Sequence, residues 1–87
     1  MERSEIDIGL HFAEDDDHTE ARANLVLRGA TFTGWGRSRR NPGDPNVPMI
    51  GEELAAARAL SDLAHKLLDG AAEGISDISG RPARVVI

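Results

Sequence analysis

The spacing of apolar residues changes once along this chain, at a loop that holds three of its four prolines. Before the loop, apolar and polar residues alternate, as in strands with one buried face. After it, apolar residues recur at steps of three and four, as in an amphipathic helix. Pro42, Pro45 and Pro48 each fix their own φ and restrict the preceding residue, so the loop is stiff. The sequence therefore predicts an α+β fold in which a sheet precedes a helix.

Three strands are predicted before the loop, near residues 4–12, 18–28 and 30–40. The short connection Arg28-Gly29-Ala30 contains a glycine and predicts a hairpin, so an antiparallel sheet is expected. The predicted apolar faces of the first two strands are Ile6, Ile8, Leu10 and Phe12, and then Thr19, Ala21, Ala23, Leu25 and Leu27.

The third predicted strand carries two glycines on one face. Gly34 and Gly36 lie on the same side as Phe32, and glycines in such positions indicate that another backbone comes close. The alanine-rich helix that follows is the natural neighbour, and a second copy of the chain is the alternative. Trp35 is then expected on the opposite face, together with Arg37.

A long helix is predicted from about Gly51 to Asp69, with Glu52 and Glu53 in a first turn where negative charge complements the helix dipole. Gly70 is expected to end or bend it, and a shorter helix, Ala71–Ser79, is expected to follow. The predicted order is therefore β-β-β-α-α. The apolar side predicted for the long helix consists of Leu54, Ala57, Leu60, Leu63, Ala64, Leu67, Leu68 and Ala71.

The composition narrows the class of protein. The 87 residues are expected to form a single domain, residues 1–87, with a small core. The absence of cysteine excludes disulfides and thiolate metal sites, and it fits a cytoplasmic location. A charged N-terminus leads directly into a strand, so no signal peptide is expected, and no membrane-spanning run is seen. The net charge of −5 argues against nonspecific nucleic-acid binding, although a local basic patch stays open.

Motifs for catalysis or for a bound cofactor are weak. The acidic run Asp15-Asp16-Asp17 lacks the spacing and the distal Glu of a calcium loop, so a solvated turn is expected. The run Gly34-Trp35-Gly36 lacks the third glycine and the helix of a nucleotide-binding loop. His11, His18 and His65 show no metal-ligand spacing. The sequence therefore predicts no enzymatic activity, no cofactor and no metal.

A long motif is shared with a known family. It runs Gly34-x-Gly36-x-Ser38-Arg39-x-Asn41-Pro42-x-Asp44-x-x-Val47-Pro48-x-Ile50-Gly51-x-Glu53-Leu54-x-x-Ala57-Arg58-Ala59-Leu60-x-Asp62-Leu63, and Pro82-Ala83-Arg84 follows near the end. It resembles the signature of a small actinobacterial family of unknown function that includes mycobacterial proteins linked to hypoxia and dormancy. The resemblance implies a fold similar to the double-stranded-RNA-binding domain and, usually, a homodimer. It implies no established activity and no catalytic residues.

Two hypotheses for function follow. The first is a non-catalytic interaction module of a stress or dormancy type, which acts as a homodimer. Its interface is predicted to contain the exposed tryptophan, apolar helix residues and the apolar chain end, namely Trp35, Leu63, Leu67, Val85, Val86 and Ile87.

The alternative is an RNA- or ribosome-associated protein similar to hibernation factors. Arg37, Arg39 and Arg40 cluster at a strand end beside the stiff loop, and arginine forks suit phosphates. Trp35 shares a face with Arg37 and could stack on a base. Against this, the arginines could pair with the chain's own carboxylates. The stiff loop is either a plain crossing from sheet to helix or a recognition loop.

Overall fold

The fold is a three-stranded antiparallel sheet covered on one face by one long helix. The structure is a computed structural model that describes residues 1–85, so the predicted interface residues Val86 and Ile87 lie outside the described residues. The elements, in chain order, are β1 (Gly9–Glu14), β2 (His18–Leu27), β3 (Ala30–Arg39) and α1 (Pro48–Ser79). The strands lie in the order β1-β2-β3. The predicted α+β fold is confirmed.

The first strand lies later in the chain than predicted. Its ladder with β2 runs from Gly9 opposite Asn24 to Glu14 opposite Thr19. The Asp15 carboxylate explains this end point, because it accepts the backbone N–H groups of Asp17 at 2.8 Å and His18 at 2.7 Å and so holds the turn there. These two hydrogen bonds lower the pKa of Asp15. Residues 1–8 belong to no strand or helix.

The predicted hairpin between β2 and β3 is present. Arg28 and Gly29 form its two-residue turn, with φ of 51° and 81°. Two positive φ values are the signature of a type I′ turn, whose twist matches that of the strands. Glycine adopts this conformation at no steric cost, whereas for Arg28 it carries a steric cost.

The helix is continuous, and the predicted break at Gly70 and the separate helix at residues 71–79 are wrong. Gly70 lies against the Phe32 ring, and an ideal Cβ there would come within 3.1 Å of a ring carbon. The lack of a side chain at Gly70 therefore allows the helix to pack closely against Phe32. The helix also begins at Pro48, earlier than predicted, because proline is well suited to the first helical position. It ends at Gly80, whose N–H donates to the Ser76 carbonyl at 2.8 Å.

The helix packs directly on the backbone of β3. An ideal Cβ at Gly34 would overlap the Ala59 carbonyl oxygen and lie 2.8 Å from Leu63 Cα. One at Gly36 would overlap the Ala55 carbonyl oxygen and lie 2.9 Å from the Arg58 carbonyl carbon. The predicted close approach at both glycines is confirmed.

This close packing changes which side of the helix is buried. The core consists of Ala21, Ala23, Ala55, Ala59 and Leu63. The side of the helix predicted to be buried was wrong. Leu54 and Leu60 are exposed, and Ala55 and Ala59 are buried instead. Only small residues fit where the helix backbone touches glycines of the sheet. Among residues 1–85, no helix has the length and apolar character needed to cross a membrane.

Candidate interaction site

The free edge of β3 is closed by side chains of the helix. The Asp62 carboxylate accepts the backbone N–H of Trp35 at 2.8 Å. On either side, Arg58 donates to the Arg37 carbonyl at 2.7 Å and Lys66 donates to the Thr33 carbonyl at 2.6 Å. Three side chains one helical turn apart therefore each bond to one outward backbone group in the middle of this strand.

The charge of Asp62 is stabilised by this arrangement. The N–H of Trp35 lowers the pKa of the Asp62 carboxyl most, and Lys66, 3.1 Å away, lowers it further. An edge strand with bonded backbone groups offers no template for another strand. The middle of the β3 edge, from Thr33 to Arg37, is thus obstructed for pairing.

The free edge of β1 is different. Alternate residues of an antiparallel strand hydrogen-bond to the neighbours on its two opposite sides. Because Trp35 bonds outward from β3, it determines which residues of β2 and β1 hydrogen-bond to each other. The pairs that bond β2 to β1 are then Asn24–Gly9, Arg22–His11 and Glu20–Ala13. The backbone groups of Leu10 and Phe12 point away from the sheet. No hydrogen bond to them is present within residues 1–85.

The same stretch of chain exposes a row of large apolar side chains. Leu10 and Phe12 lie opposite Ala23 and Ala21, on the face of the sheet that the helix covers. The helix packs mainly over β3 and β2 and reaches β1 only near Glu14. Ile6, Ile8, Leu10 and Phe12, here called the β1 strip, are 48%, 50%, 40% and 42% exposed.

The helix adds to this open surface. Arg58 and Asp62 lie on the flank of α1 that reaches the β3 edge. Leu60 follows Ala59 by about 100° around the helix, so it lies on the opposite flank, toward β1. It is also exposed. The exposed apolar surface made by the β1 strip and Leu60 is here called the apolar groove.

The sheet face away from the helix carries the predicted aromatic and basic residues. Trp35 is 56% exposed, and the Arg22 guanidinium lies 5.9 Å from the centre of its ring, at the distance of a cation–π contact. Arg37 forms an ion pair with Glu20, its cross-strand neighbour. Trp35, Arg37 and Arg39 therefore share one face, as predicted.

Arg40 does not join that face. Its guanidinium donates to Asp17 at 3.1 Å and to the Asp44 carbonyl at 2.8 Å, and its backbone N–H donates to the Asp17 carbonyl. Arg40 thus ties the acidic turn to the proline loop. Two of the three predicted phosphate-binding arginines, Arg37 and Arg40, are engaged by the chain's own carboxylates.

The residues predicted for a dimer interface are scattered. Leu63 is 2% exposed and packs against the chain's own sheet, so it offers no surface to a partner. Leu67 packs beside the core, and Val85 is half-buried. Trp35 lies on the opposite side of the sheet from Leu67. The four of these residues that lie within residues 1–85 form no single patch.

A cleft of about 640 Å³ opens where the acidic turn, the proline loop and the start of α1 meet. Its walls include the buried hydroxyl residues Thr19 and Ser38, and Ser38 donates to the Gly51 carbonyl at 2.8 Å. Burial raises the pKa of the Glu14 carboxyl at this end of β1, as do a hydrogen bond and repulsion from Glu52. Within residues 1–85, no group of three His, Cys, Asp or Glu side chains is placed to hold a metal ion.

Sequence reasoning missed the role of three helix residues and the importance of β1. The i,i+4 spacing of Arg58, Asp62 and Lys66 indicates only ion pairs on the helix surface, because the sequence does not reveal the strand edge that they reach. The β1 strip was visible as alternation. Its exposure was not, because it depends on where the helix lies across the sheet.

Comparison with known proteins gives close matches. The model of a family described as Rv2632c-like matches residues 4–84. The uncharacterised protein Mb1767 of Mycobacterium bovis is 41% identical over 79 residues, which are 91% of this chain and 84% of that protein. The uncharacterised protein Rv2632c of Mycobacterium tuberculosis is 47% identical over 60 residues, which are 69% of this chain and 64% of that protein. The crystal structure of Rv2632c is similar with a TM-score of 0.86 at 36% identity, covering 94% of this chain and 98% of the other.

Proposed function

Because the chain belongs to the Rv2632c-like family, whose matched mycobacterial members are uncharacterised, we propose its function from its surfaces: a non-catalytic interaction module that works as a homodimer. The observation that carries the proposal is the open apolar groove beside β1. The resemblance to proteins linked to hypoxia and dormancy gives the expected setting, which is the cytoplasm of stressed cells.

The balance between buried and exposed apolar side chains supports a dimer. The buried core contains four alanines and one leucine, and no large side chain among residues 1–85 is fully buried. All four large residues of the β1 strip stay 40% exposed or more. A domain this small gains stability from association when disulfides and metals are absent. Contiguous exposed apolar surface is also typical of association sites.

A second copy is the occupant that the proposal favours. In a two-fold dimer the same patch covers itself, so one groove on each chain is enough. Covering the groove leaves the Trp35 face of both copies free for a further partner. The dimer is thus the scaffold, and the opposite sheet face is the surface it presents.

The test is the dependence of the melting temperature on protein concentration. The melting temperature of a homodimer rises with concentration, because dilution favours dissociated chains. Phe12→Lys, which places a charge in the groove, should remove this dependence. Val26→Lys is the matched control, since Val26 is also exposed but lies on the other sheet face. A concentration-independent melting temperature for the unaltered chain would refute the dimer.

Structured RNA is the second candidate, and the exposed Trp35 ring is the observation that favours it. A half-exposed ring beside Arg37 and Arg39 provides a stacking surface with nearby positive charge. Arg37→Ala, Arg39→Ala and Arg40→Ala combined should abolish binding, and the affinity should fall steeply with salt. Failure of the unaltered chain to bind ribosomes or structured RNA at low salt would end this candidate.

A further inference from the structure

We propose that the second copy pairs its β1 strand with β1 of the first, antiparallel and centred on Gly9, so that two sheets become one of six strands. This inference rests on the proposed homodimer and specifies how it forms. Gly9 would face Gly9 of the second copy, Ile8 would face Leu10, and Ile6 would face Phe12.

The contrast between the two sheet edges is the first support. Arg58, Asp62 and Lys66 bond to the outward backbone groups of β3. The outward groups of β1, at Leu10 and Phe12, have no such partner among residues 1–85. An unblocked edge strand is a template for another strand. As far as residues 1–85 show, the β1 edge lacks the obstruction that α1 places on β3.

The second support is a strand pattern that lacks a partner strand. Ile6 and Ile8 continue the alternation of Leu10 and Phe12, and the sequence predicts a strand over residues 4–12. Within the single chain the ladder begins only at Gly9. The pattern over residues 4–8 is accounted for if those residues pair with residues 10–14 of the second copy.

The register follows from the sequence of the segment. Centred on Gly9, each residue of the β1 strip faces another apolar residue, and Glu14 faces Ser4. Asp7 then faces His11, so that a carboxylate and an imidazole form a cross-strand pair. Centring on Leu10 places Glu14 against Ile6, and centring on His11 places it against Ile8. Both of those registers bury a carboxylate against an apolar side chain.

The arrangement also closes the groove. Leu10 and Phe12 lie on the helix side of the sheet, because they face Ala23 and Ala21 there, and the proposed pairing places Ile6 and Ile8 on the same side. Pairing of two β1 strands therefore brings the two strips together between the two helices. The exposed Leu60 of each helix flank borders the same space.

The test is disulfide cross-linking, which suits a chain that contains no cysteine. Backbone bonding alternates, so the odd-numbered residues of β1 would form the non-hydrogen-bonded pairs, whose side chains lie closest. Their Cα separation falls within the range of a disulfide. Three single variants on the sheet face away from the helix are compared: Asp7→Cys, Gly9→Cys and His11→Cys. Thr31→Cys, exposed at the β3 edge, measures random collision.

We expect Gly9→Cys to cross-link with itself at least ten times faster than Thr31→Cys. A new Cβ at Gly9 would meet only the ends of the Asn24 and His11 side chains, which can move. A mixture of Asp7→Cys and His11→Cys should give the mixed disulfide in preference to either homodimer. This second measurement keeps the test valid if Gly9→Cys folds poorly.

The possible negative results distinguish between the β1 pairing, its register and the homodimer itself. A dimer in which none of the three variants cross-links faster than Thr31→Cys would overturn pairing through β1 and leave the proposed homodimer standing. Fastest self-linking by Asp7→Cys or His11→Cys would overturn the register. A chain that stays monomeric at all concentrations would overturn both the inference and the homodimer.

Discussion

Replacing Gly36 by alanine tests the packing of helix on sheet with a single added methyl group. The new Cβ would overlap the Ala55 carbonyl oxygen and the Ala59 amide nitrogen, and would lie 2.9 Å from the Arg58 carbonyl carbon. Carbon atoms in contact normally lie about 3.5–4.0 Å apart. All three obstacles are helix backbone, which has no rotamer to change. The tightest overlaps are with the oxygen and the nitrogen, so the helix must move away by roughly 1 Å.

The cost of that movement follows from what the helix would lose. A gap of this size forfeits about a quarter to a half of the dispersion energy of each contact across it. The core alanines Ala21, Ala23 and Ala59 sit at this contact. The hydrogen bonds of Arg58, Asp62 and Lys66 to β3 would lengthen as well. We expect a loss of about 3 kcal/mol in the free energy of unfolding, at the upper end of overpacking costs.

Urea denaturation followed by circular dichroism, at one fixed protein concentration, measures this loss. The control is Gly74→Ala in the same helix, where an added Cβ meets nothing within 4 Å. That control should gain about 0.5–1 kcal/mol, because alanine favours a helix over glycine. Gly34→Ala combined with Gly36→Ala should cost less than the two separate losses together, since one movement of the helix relieves both. A Gly36→Ala protein within about 0.5 kcal/mol of the parent would refute the close contact.

Three further predictions concern single side chains. The pKa of Glu14 is raised from its ordinary value of 4.5, so its stabilising contribution is complete below that pH and is lost as the pH rises through the folded-state pKa. Glu14→Gln should therefore be more stable than the parent at pH 7. Acid titrations of unfolding should show this difference in stability vanish at low pH. The pKa of Asp62 is lowered from its ordinary value of 3.8, so its stabilising contribution is present above that pH and is lost as the pH falls through the folded-state pKa. Asp62→Asn should be less stable than the parent at pH 7. Equal stabilities at pH 7 would count against the hydrogen bond from the Trp35 N–H to Asp62. Arg28 has a φ of 51°, a conformation that asparagine tolerates better than arginine. Arg28→Asn should therefore raise the free energy of unfolding by about 0.5–1 kcal/mol, measured in thermal melts, whereas Arg28→Val should lower it.

Local patterns were sufficient for most of the fold. Alternation predicted the antiparallel sheet, the glycine at the turn predicted the hairpin, and two glycines on one face predicted where the helix touches β3. Each of these rests on a residue whose local geometry admits few alternatives. The end of the helix at Gly80 was also predicted, for the same reason.

The errors arose where a residue's role depends on its distant neighbours. Gly70 has the sequence signature of a helix end, but the Phe32 ring requires a small residue there and the helix continues. Leucines predict a buried helix side, but contact with Gly34 and Gly36 favours Ala55 and Ala59 instead. The two sheet edges look alike in sequence. Only the position of α1 makes one closed and the other open.

The homodimer is the central claim, and sedimentation equilibrium at micromolar concentration tests it most directly. The open β1 strip predicts a species of twice the chain mass of 9.3 kDa, in exchange with monomer on dilution. Phe12→Lys should shift the same measurement toward monomer. A stable, folded species of 9.3 kDa across the micromolar range would contradict the account, because the β1 strip would then remain exposed to water in the working protein.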